Sequence, residues 1–478
     1  MTSPLTYLLA IPAAATLLLG LIAHYRIGAL LNVLASGATL VAAVALLFAD
    51  RVRTDIFIID DFNIYLVILT AFVGFTTSIF SATYIGHELE IGKLTPVFLR
   101  FYHALYQAMM AAMNLALVSN NVGLLWVGVE VATLSTVMMV GIYRTPEAIE
   151  AAWKYFILGS VGIALAFFGT ILIYLVAQPV IGEGLPAMAW DLLLRNGAAF
   201  DAKLLSLAFV FLLVGYGTKI GLAPFHAWLP DAHAEGPTPI SAVLSGLLLN
   251  VALYALLRFK MLLAAHPDTL NVGAIMIALG LISLIFSGFM LYRRRDIKRL
   301  FAYSSIEHMG IMTFAFGMGG PLANFAGLLH MTLHSLIKSA IFFAVGHIAQ
   351  VKGTQRISQI RGLSVTHPVL AVGLALGVIA IAGLPPFGMF LSEFMLVTSS
   401  FARQPLLALV LVAGLLIAFG ALVLRMQDVL FGEPNGPAGG VKASYIPLFV
   451  HLALALMAGL WLPEPMVNWF RAVAAQLG

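Results

Sequence analysis

Residues 221–231 of the chain read GLAPFHAWLPD, and residues 383–393 read GLPPFGMFLSE. The two stretches share Gly, Leu, Pro, Phe and Leu in the same register, and each ends on an acidic residue. Proline inside a helix removes a backbone hydrogen bond and collides with the preceding turn, so each stretch should break its helix. Either the similarity arose by chance, or the stretches mark equivalent breaks in an internal repeat.

The composition around these stretches is that of an integral membrane protein. Of the 478 residues, 61% are hydrophobic and only 10% are charged, whereas soluble domains carry about 25% charged residues. The mean hydropathy is +1.01. Arg26 is the first basic residue, so we expect the first apolar stretch to be a retained span and not a signal peptide.

Cysteine is absent from the chain. This excludes thiolate ligation of iron–sulfur clusters, cysteine-based zinc sites, disulfides and thiol catalysis within it. Neither a Gly-x-Gly-x-x-Gly turn nor a P-loop is present. We therefore expect no cofactor in this chain, no nucleic-acid partner, and any nucleotide chemistry in partner subunits.

The apolar segments predict an all-α fold with about fourteen membrane-spanning helices, since about 20 apolar residues cross a bilayer. A surface hairpin is predicted near 54–63, and an external loop or interfacial helix near 184–200. The predicted spans lie near 4–23, 28–49, 63–85, 103–119, 122–143, 148–177, 203–223, 238–264, 271–292, 299–318, 321–350, 367–400, 405–431 and 443–462.

The distribution of Lys and Arg favours an external N-terminus under the positive-inside rule. Fourteen of the 25 basic residues then fall on inner loops, including the run at 293–299 and Lys442, and eight fall outside. This leaves only Lys154, Lys219 and Lys338 within the spans.

A broken helix at membrane depth persists only where it is buried in protein or lines a wet cavity. Matching broken helices in two halves point to a transport site. An ionised residue at the bilayer centre costs roughly 2.5–3.5 kcal/mol. Several such residues near the breaks therefore indicate function.

Glu130 and Lys219 are isolated charges in apolar segments, and Lys219 precedes the first proline break by five residues. Burial disfavours their charged forms while mutual proximity favours them, so a proton can move when the partner moves. A static ion pair that fixes helix packing is the alternative. Lys154 lies near the start of its helix, where snorkelling towards the surface competes with a role in transport.

His330, His334 and Lys338 are spaced four residues apart and form one stripe on a helix. Histidine titrates near neutrality, which suits proton transfer. Plain packing is one alternative. A metal site is another, although no carboxylate or third ligand is evident beside the two histidines in the sequence.

His226 and His233 flank the first break, close to two acidic residues, and predict a proton entry; a structural hydrogen-bonded turn is the alternative. Glu307 and His308 lie together in a later segment, and Glu393 closes the second break. Either acid could instead be an ordinary polar residue at a helix end. The repeat favours Glu393, because it pairs this residue with the first break.

These motifs resemble a known family. The stretches at 215–242 (GYGTKIGLAPFHAWLPDAHAEGPTPISA), 333–343 (LHSLIKSAIFF) and 383–394 (GLPPFGMFLSEF), with the helix of Glu130, are similar to antiporter-like membrane subunits of respiratory complex I. Mrp antiporters and membrane-bound hydrogenases contain similar subunits. The resemblance covers nearly the whole chain.

The resemblance implies fourteen helices, two inverted five-helix repeats, broken helices seven and twelve, and a hydrated axis of charged residues. It implies N-terminal helices in 1–102, a first repeat in 103–265, a second repeat in 266–432, and a last helix in 433–478. Glu130 would be the acid of helix five, Lys219 its partner on helix seven, and Glu393 the terminal acid on helix twelve. His334 and Lys338 would lie in the central relay.

Asn250 departs from the pattern, since related complex I subunits commonly carry lysine there. Asparagine cannot titrate, so a proton would pass this point through water or a histidine such as His226. The motif at 304–310 (SSIEHMG) and the context of Asn250 are most similar to the F-type subunit of hydrogenase-4. The full predicted relay comprises Glu130, Lys154, Lys219, His226, His233, Asn250, His308, His330, His334, Lys338 and Glu393.

The leading hypothesis is a proton-translocating subunit of a redox-driven complex in a bacterial or archaeal cytoplasmic membrane. Its partners would be other membrane subunits and a peripheral redox arm carrying iron–sulfur clusters and NiFe or flavin. The second hypothesis is a subunit of a cation/proton antiporter, with sodium as the alternative ion. The third is a structural subunit without pumping, which Asn250 supports. Related scaffolds also serve inorganic-carbon uptake.

Overall fold

The computed structural model describes residues 3–436, 440 and 444–478, and its regular elements there are helices. Lys442 and the first residue of the predicted span 443–462 lie outside these described residues. The helices are α1 Pro4–Leu21, α2 Tyr25–Ala45, α3 Asp61–Glu90, α4 Pro96–Val118, α5 Val122–Val140, α6 Pro146–Ile181, α7 Trp190–Asn196, α8 Ala202–Ile220, α9 Leu229–Glu235, α10 Thr238–Val243, α11 Leu249–Ala264, α12 Val272–Arg293, α13 Ile297–Met318, α14 Gly320–Lys352, α15 Leu363–Thr366, α16 Pro368–Ile381, α17 Gly388–Arg403, α18 Pro405–Phe431, α19 Ile446–Leu460 and α20 Glu464–Gln476.

The predicted all-α membrane fold is confirmed. Within the described ranges, ten helices are long and apolar enough to cross a membrane, or eleven if α19 and α20, bent by 81°, form one span. The predicted count of fourteen is not confirmed, because α4, α13 and the pair α16–α17 are not among these helices. The predicted surface hairpin is present as a turn closed by the bridge between Arg53 and Ile58.

The bundle is arranged around α14, which packs against α3, α10, α13, α16, α17, α19 and α20. The helical stretch Thr238–Ala264 is also almost wholly buried, whereas α1, α2 and α18 lie at the periphery. The polar residues of α14 are therefore enclosed by protein.

The first predicted break is present between α8 and α9. Gly221 follows α8 with a positive φ of 80°, a conformation that glycine adopts without steric cost. The Ala223–Pro224 peptide bond is cis. Trp228 Nε1 donates a hydrogen bond of 2.8 Å to the carbonyl of Thr218. This bond, with those from the backbone of Gly221 and Leu222, supplies donors to the carbonyls of Gly217 and Thr218 near the end of α8.

The second predicted break lies between α16 and α17 and repeats this geometry in register. Gly383 has a positive φ of 66°, and the Pro385–Pro386 peptide bond is cis. The shared geometry supports equivalence of the two motifs over chance similarity. The wider division into two inverted repeats stays a prediction.

The prediction that only three basic residues lie within the spans is wrong. Arg258 and Lys260, which were placed outside, lie buried in α11, and Lys298 lies buried in the first turn of α13. Arg258 pairs with Asp60 at 2.7 Å. Counting charges along the sequence cannot separate such buried partners from loop residues.

Helices α12 and α13 approach closely because both carry glycine where they cross. A Cβ atom on Gly280 would lie 2.7 Å from the backbone oxygen of Gly310 and from the backbone nitrogen of Phe314. Both contacts are backbone atoms of α13, which cannot rotate away as a side chain could. A side chain at position 280 would therefore push the two helices apart.

We expect Gly280→Ala to lower the free energy of unfolding by about 1–3 kcal/mol, because overpacking forces the helices apart. Thermal unfolding of the purified protein measures the effect. Gly20→Ala is the matched control, since its Cβ would meet only Ala104 Cβ at 3.9 Å. Equal melting temperatures for the two variants would contradict the close approach of α12 and α13.

Candidate functional site

Lys219 lies in the last turn of α8, directly before the first break. Its side chain is fully buried, and its Nζ lies 5.1 Å from the centroid of the Tyr155 ring. It interacts electrostatically with Glu130 of α5. The structure therefore brings this predicted pair together, from helices that are distant in sequence.

The two charged groups are held loosely. Neither Lys219 Nζ nor Glu130 Oε2 has a hydrogen-bond partner among the described residues. A Cβ atom on Gly159 would lie 2.8 Å from Lys219 Nζ, so the missing side chain makes room for the ammonium. This is not the geometry of a closed salt bridge that fixes helix packing.

Lys154 lies elsewhere, in an ion-pair network at the surface. It contacts Glu150 at 2.6 Å and Asp231 at 3.1 Å, and 47% of its side chain is exposed. Arg299 joins the network through Asp231 and Glu235. The structure thus separates Lys154 from Lys219, in agreement with the alternative of snorkelling.

The two histidines near the first break occupy different environments. His226 is partly exposed beside Phe286, with 4.7 Å between the ring centroids. His233 is fully buried, and its ring stacks on Phe342 of α14 with 5.0 Å between the centroids. Only His233 faces the central helix, so the two residues do not form one cluster.

The predicted stripe of His330, His334 and Lys338 lies on the buried side of α14. Lys338 Nζ donates a hydrogen bond of 2.9 Å to the carbonyl of Phe301. His334 interacts electrostatically with His233 and Lys338. These groups connect the first break with the interior of the second half.

The far end of the stripe meets the second break. His308 Nδ1 and His330 Nε2 are 2.9 Å apart, and His330 Nδ1 lies 3.0 Å from Ser392 Oγ of α17. Glu393 follows directly, and its carboxylate packs against Gly383 of the break. The predicted residues His308, His330 and Glu393 therefore converge from three helices.

These three residues also correct a prediction. The sequence showed no carboxylate or third ligand beside the histidines of α14. In the structure, ligand atoms of His308, His330 and Glu393 all lie within 4.8 Å of one another. His334, the predicted second histidine, is not part of this group.

Two buried charged residues close to the predicted relay, Glu307 and Lys298, were not included in it. Glu307 is buried in α13, where it interacts electrostatically with Lys338 and Glu393. Lys298 Nζ donates to the carbonyls of Ala234 and Gly236 at the end of α9. The pair Glu307–His308 was visible in the sequence, whereas Lys298 was hidden within a run of surface arginines.

Asn250 contacts the stripe helix directly. Its Nδ2 donates to Ser335 Oγ at 2.8 Å and to the carbonyl of Met331 at 3.2 Å. Its Oδ1 is buried with no partner among the described residues. Asn250 thus bridges α11 and α14 through its amide nitrogen, while its acceptor oxygen has no partner among the described residues.

The amino-acid sequence of the chain is similar to those of known membrane proteins. The profile of a family described as NADH:quinone oxidoreductase/Mrp antiporter, TM, matches residues 119–418. A hydrogenase-4 component F homolog of Methylacidiphilum infernorum is 59% identical, over 96% of this chain and 97% of that protein. A Na(+)/H(+) antiporter subunit of Alkalihalophilus pseudofirmus is 26% identical, over 88% of this chain and 83% of that protein.

Solved structures share the fold. A chain of the Mrp complex from Dietzia superimposes with a TM-score of 0.85 at 20% identity, over 100% of this chain and 98% of that chain. A chain of respiratory complex I from Thermus thermophilus gives a TM-score of 0.81 at 20% identity, over 99% and 100%. The profile match over residues 119–418 and the relative with 59% identity show that the chain belongs to the NADH:quinone oxidoreductase/Mrp antiporter transmembrane family.

Proposed function

We propose that this chain is a proton-translocating, antiporter-like membrane subunit of a redox-driven complex. The observation that carries the proposal is a series of titratable groups that begins at the buried Lys219, follows the buried stripe of α14 and ends at the partly buried Glu393. Ionisable residues inside membrane segments are costly, and they mark proton and ion pathways.

The proposed path starts at Glu130 and Lys219 beside the first break. His233 stacks on Phe342 of α14 and interacts electrostatically with Lys338 and His334. We therefore propose that the path continues from the pair through His233 to the stripe of α14. Neutral imidazole has one donor and one acceptor nitrogen, which allows it to receive and release a proton. Where neighbouring groups are not in contact, water is expected to complete the path.

The second half of the path runs from Lys338 to the second break. Glu307 interacts with both Lys338 and Glu393. The contact between His308 and His330 offers a parallel route, since their facing ring nitrogens are 2.9 Å apart. We propose that these groups exchange protons when the helices around the breaks shift.

The finer assignment is a subunit of the hydrogenase-4 type, which the relative from Methylacidiphilum infernorum supports by similarity along 96% of this chain. In such a complex, a peripheral arm would hold the iron–sulfur clusters and the NiFe centre or flavin. The complex would lie in a bacterial or archaeal cytoplasmic membrane.

A subunit of a cation/proton antiporter is the second candidate, favoured by similarity to the Na(+)/H(+) antiporter protein of Alkalihalophilus pseudofirmus. Purification of the native complex followed by mass spectrometry separates the two candidates. Copurifying hydrogenase or dehydrogenase subunits support the redox complex. Copurifying antiporter subunits without redox proteins would exclude it.

We expect Lys219→Ala to reduce proton flux by ~10²-fold or more, the contribution of one positioned proton-transfer group, while the complex still assembles. Acidification of vesicles containing the reconstituted complex measures the flux. Lys203→Ala is the matched control, since Lys203 is an exposed residue on the same helix. Wild-type flux in the Lys219 variant would remove this residue from the path.

We expect Glu130→Gln to lower coupled activity strongly, and Glu130→Asp to retain part of it, because only the aspartate keeps a titratable carboxyl group. Complex yield and proton flux are measured on the same preparations. A purely structural role predicts the opposite pattern, in which yield falls and flux per assembled complex is preserved.

We expect Asn250→Leu to stop proton flux, because leucine removes a group that both donates and accepts hydrogen bonds. Asn250→Lys should be tolerated, since it restores a titratable group. If Asn250 only joins helices, its loss costs roughly 0.6–2 kcal/mol of stability. Flux per assembled complex would then be unchanged in Asn250→Leu, which would place the residue outside the path.

A further inference from the structure

The convergence of His308, His330 and Glu393 supplies the donor atoms of a metal site. The three residues come from α13, α14 and α17, and their candidate ligand atoms lie within 4.8 Å of one another. Two imidazoles and a carboxylate are a ligand set that zinc uses with an open fourth position. Proton transfer along the proposed path does not require two imidazoles and a carboxylate at one point, so this convergence needs a separate explanation.

Hydrogen bonds orient one ligand for metal binding. Ser392 Oγ donates to the carbonyl of Met389 at 2.8 Å, so it must accept a hydrogen bond from His330 Nδ1. The lone pair of His330 Nε2 then faces His308. Metal-binding histidines are held in the same way, with the second ring nitrogen bonded to a polar group.

The second histidine can become a ligand by changing its tautomer. His308 Nδ1 faces His330, while its Nε2 has no hydrogen-bond partner among the described residues. Moving its proton from Nδ1 to Nε2 leaves the Nδ1 lone pair free for a cation.

The charge and access of the site also suit a divalent cation. Glu307 interacts electrostatically with Glu393, so two carboxylates are available to neutralise the ion, which a buried charge requires. Both carboxylates line a cavity of about 230 Å³, together with Ile381, Leu384 and Phe419. Glu393 therefore belongs both to the candidate ligand group and to the lining of this cavity.

From this geometry we infer that His308, His330 and Glu393 bind a divalent transition-metal ion of the zinc type. The ion binds between the two ring nitrogens that face each other, Nδ1 of His308 and Nε2 of His330. Because both branches of the proposed path end at Glu393, a metal ion bound to this residue blocks the path. The binding itself does not depend on the proposed function.

Co²⁺ binding to the full chain in lipid nanodiscs, followed by visible absorption and competition with Zn²⁺, tests the inference. Wild type should bind one Co²⁺ with the intense bands of a four-coordinate site. His330→Ala and Glu393→Gln should lose these bands, and His334→Ala, one turn away on α14, should keep them. Bands that survive in His330→Ala, or only weak six-coordinate bands in wild type, would overturn the inference.

Two further measurements test the metal site even if the His330→Ala and Glu393→Gln variants fail to fold. X-ray absorption on the wild-type zinc complex should show two imidazole ligands, and oxygen ligands alone would contradict the site. Ser392→Ala should weaken metal affinity by ~10–100-fold, the usual effect of losing a group that orients a ligand. Unchanged affinity in this variant would exclude the proposed orientation of His330.

Proton flux separates the metal site from the proposed function. Zn²⁺ should inhibit flux in wild-type vesicles, and Ser392→Ala should shift the inhibition to higher Zn²⁺ concentration by the same factor as its affinity. Metal binding without inhibition would contradict a path that ends at Glu393 and would leave the metal site intact. Inhibition at the same Zn²⁺ concentration in both proteins would assign the block to another site and count against the inference.

Discussion

The cost of placing charge inside a membrane protein is the constraint on which this structure depends. Each ionised group at the bilayer centre costs roughly 2.5–3.5 kcal/mol on insertion scales, and this chain buries Lys219, Lys298, Lys338, Glu307 and Arg258. Burying them within protein, where carbonyls, rings and opposite charges can approach, reduces that cost. This explains why α14 and the residues around it lie at the centre, and why the most apolar helices lie outside.

The first helix break places a cation beside the helix end of opposite partial charge. Lys219 lies in the last turn of α8, where the partial charge is negative and stabilises a cation. Lys298 repeats this arrangement by binding the final carbonyls of α9. A helix break is therefore an electrostatic device as well as a local change in shape.

Sequence reasoning succeeded where the cause is local and failed where the cause is tertiary packing. Proline and glycine within apolar segments predicted both breaks, and spacing by four predicted that His330, His334 and Lys338 share one face. No local pattern indicates that His330 meets His308 from α13 and Ser392 from α17. These contacts depend on how three helices cross.

The contacts around Asn250 place hydrogen-bonding groups at a point of the proposed path that has no titratable group. Ser335 Oγ donates to the carbonyl of Gly246 at 2.5 Å, and Asn250 Nδ2 donates to Ser335. Gly246 lies within the π-helical turn Leu244–Leu248, and such turns are frequent at functional sites. In the same turn, Ser245 Oγ lies 2.7 Å from Ser305 Oγ of α13. These bonds join α11, α13 and α14, but an amide N–H only donates and a carbonyl only accepts, so the bonds through Asn250 and Gly246 cannot reverse direction. A lysine at position 250 would supply a titratable group, whereas with asparagine the proposed path needs water to carry the proton past this point.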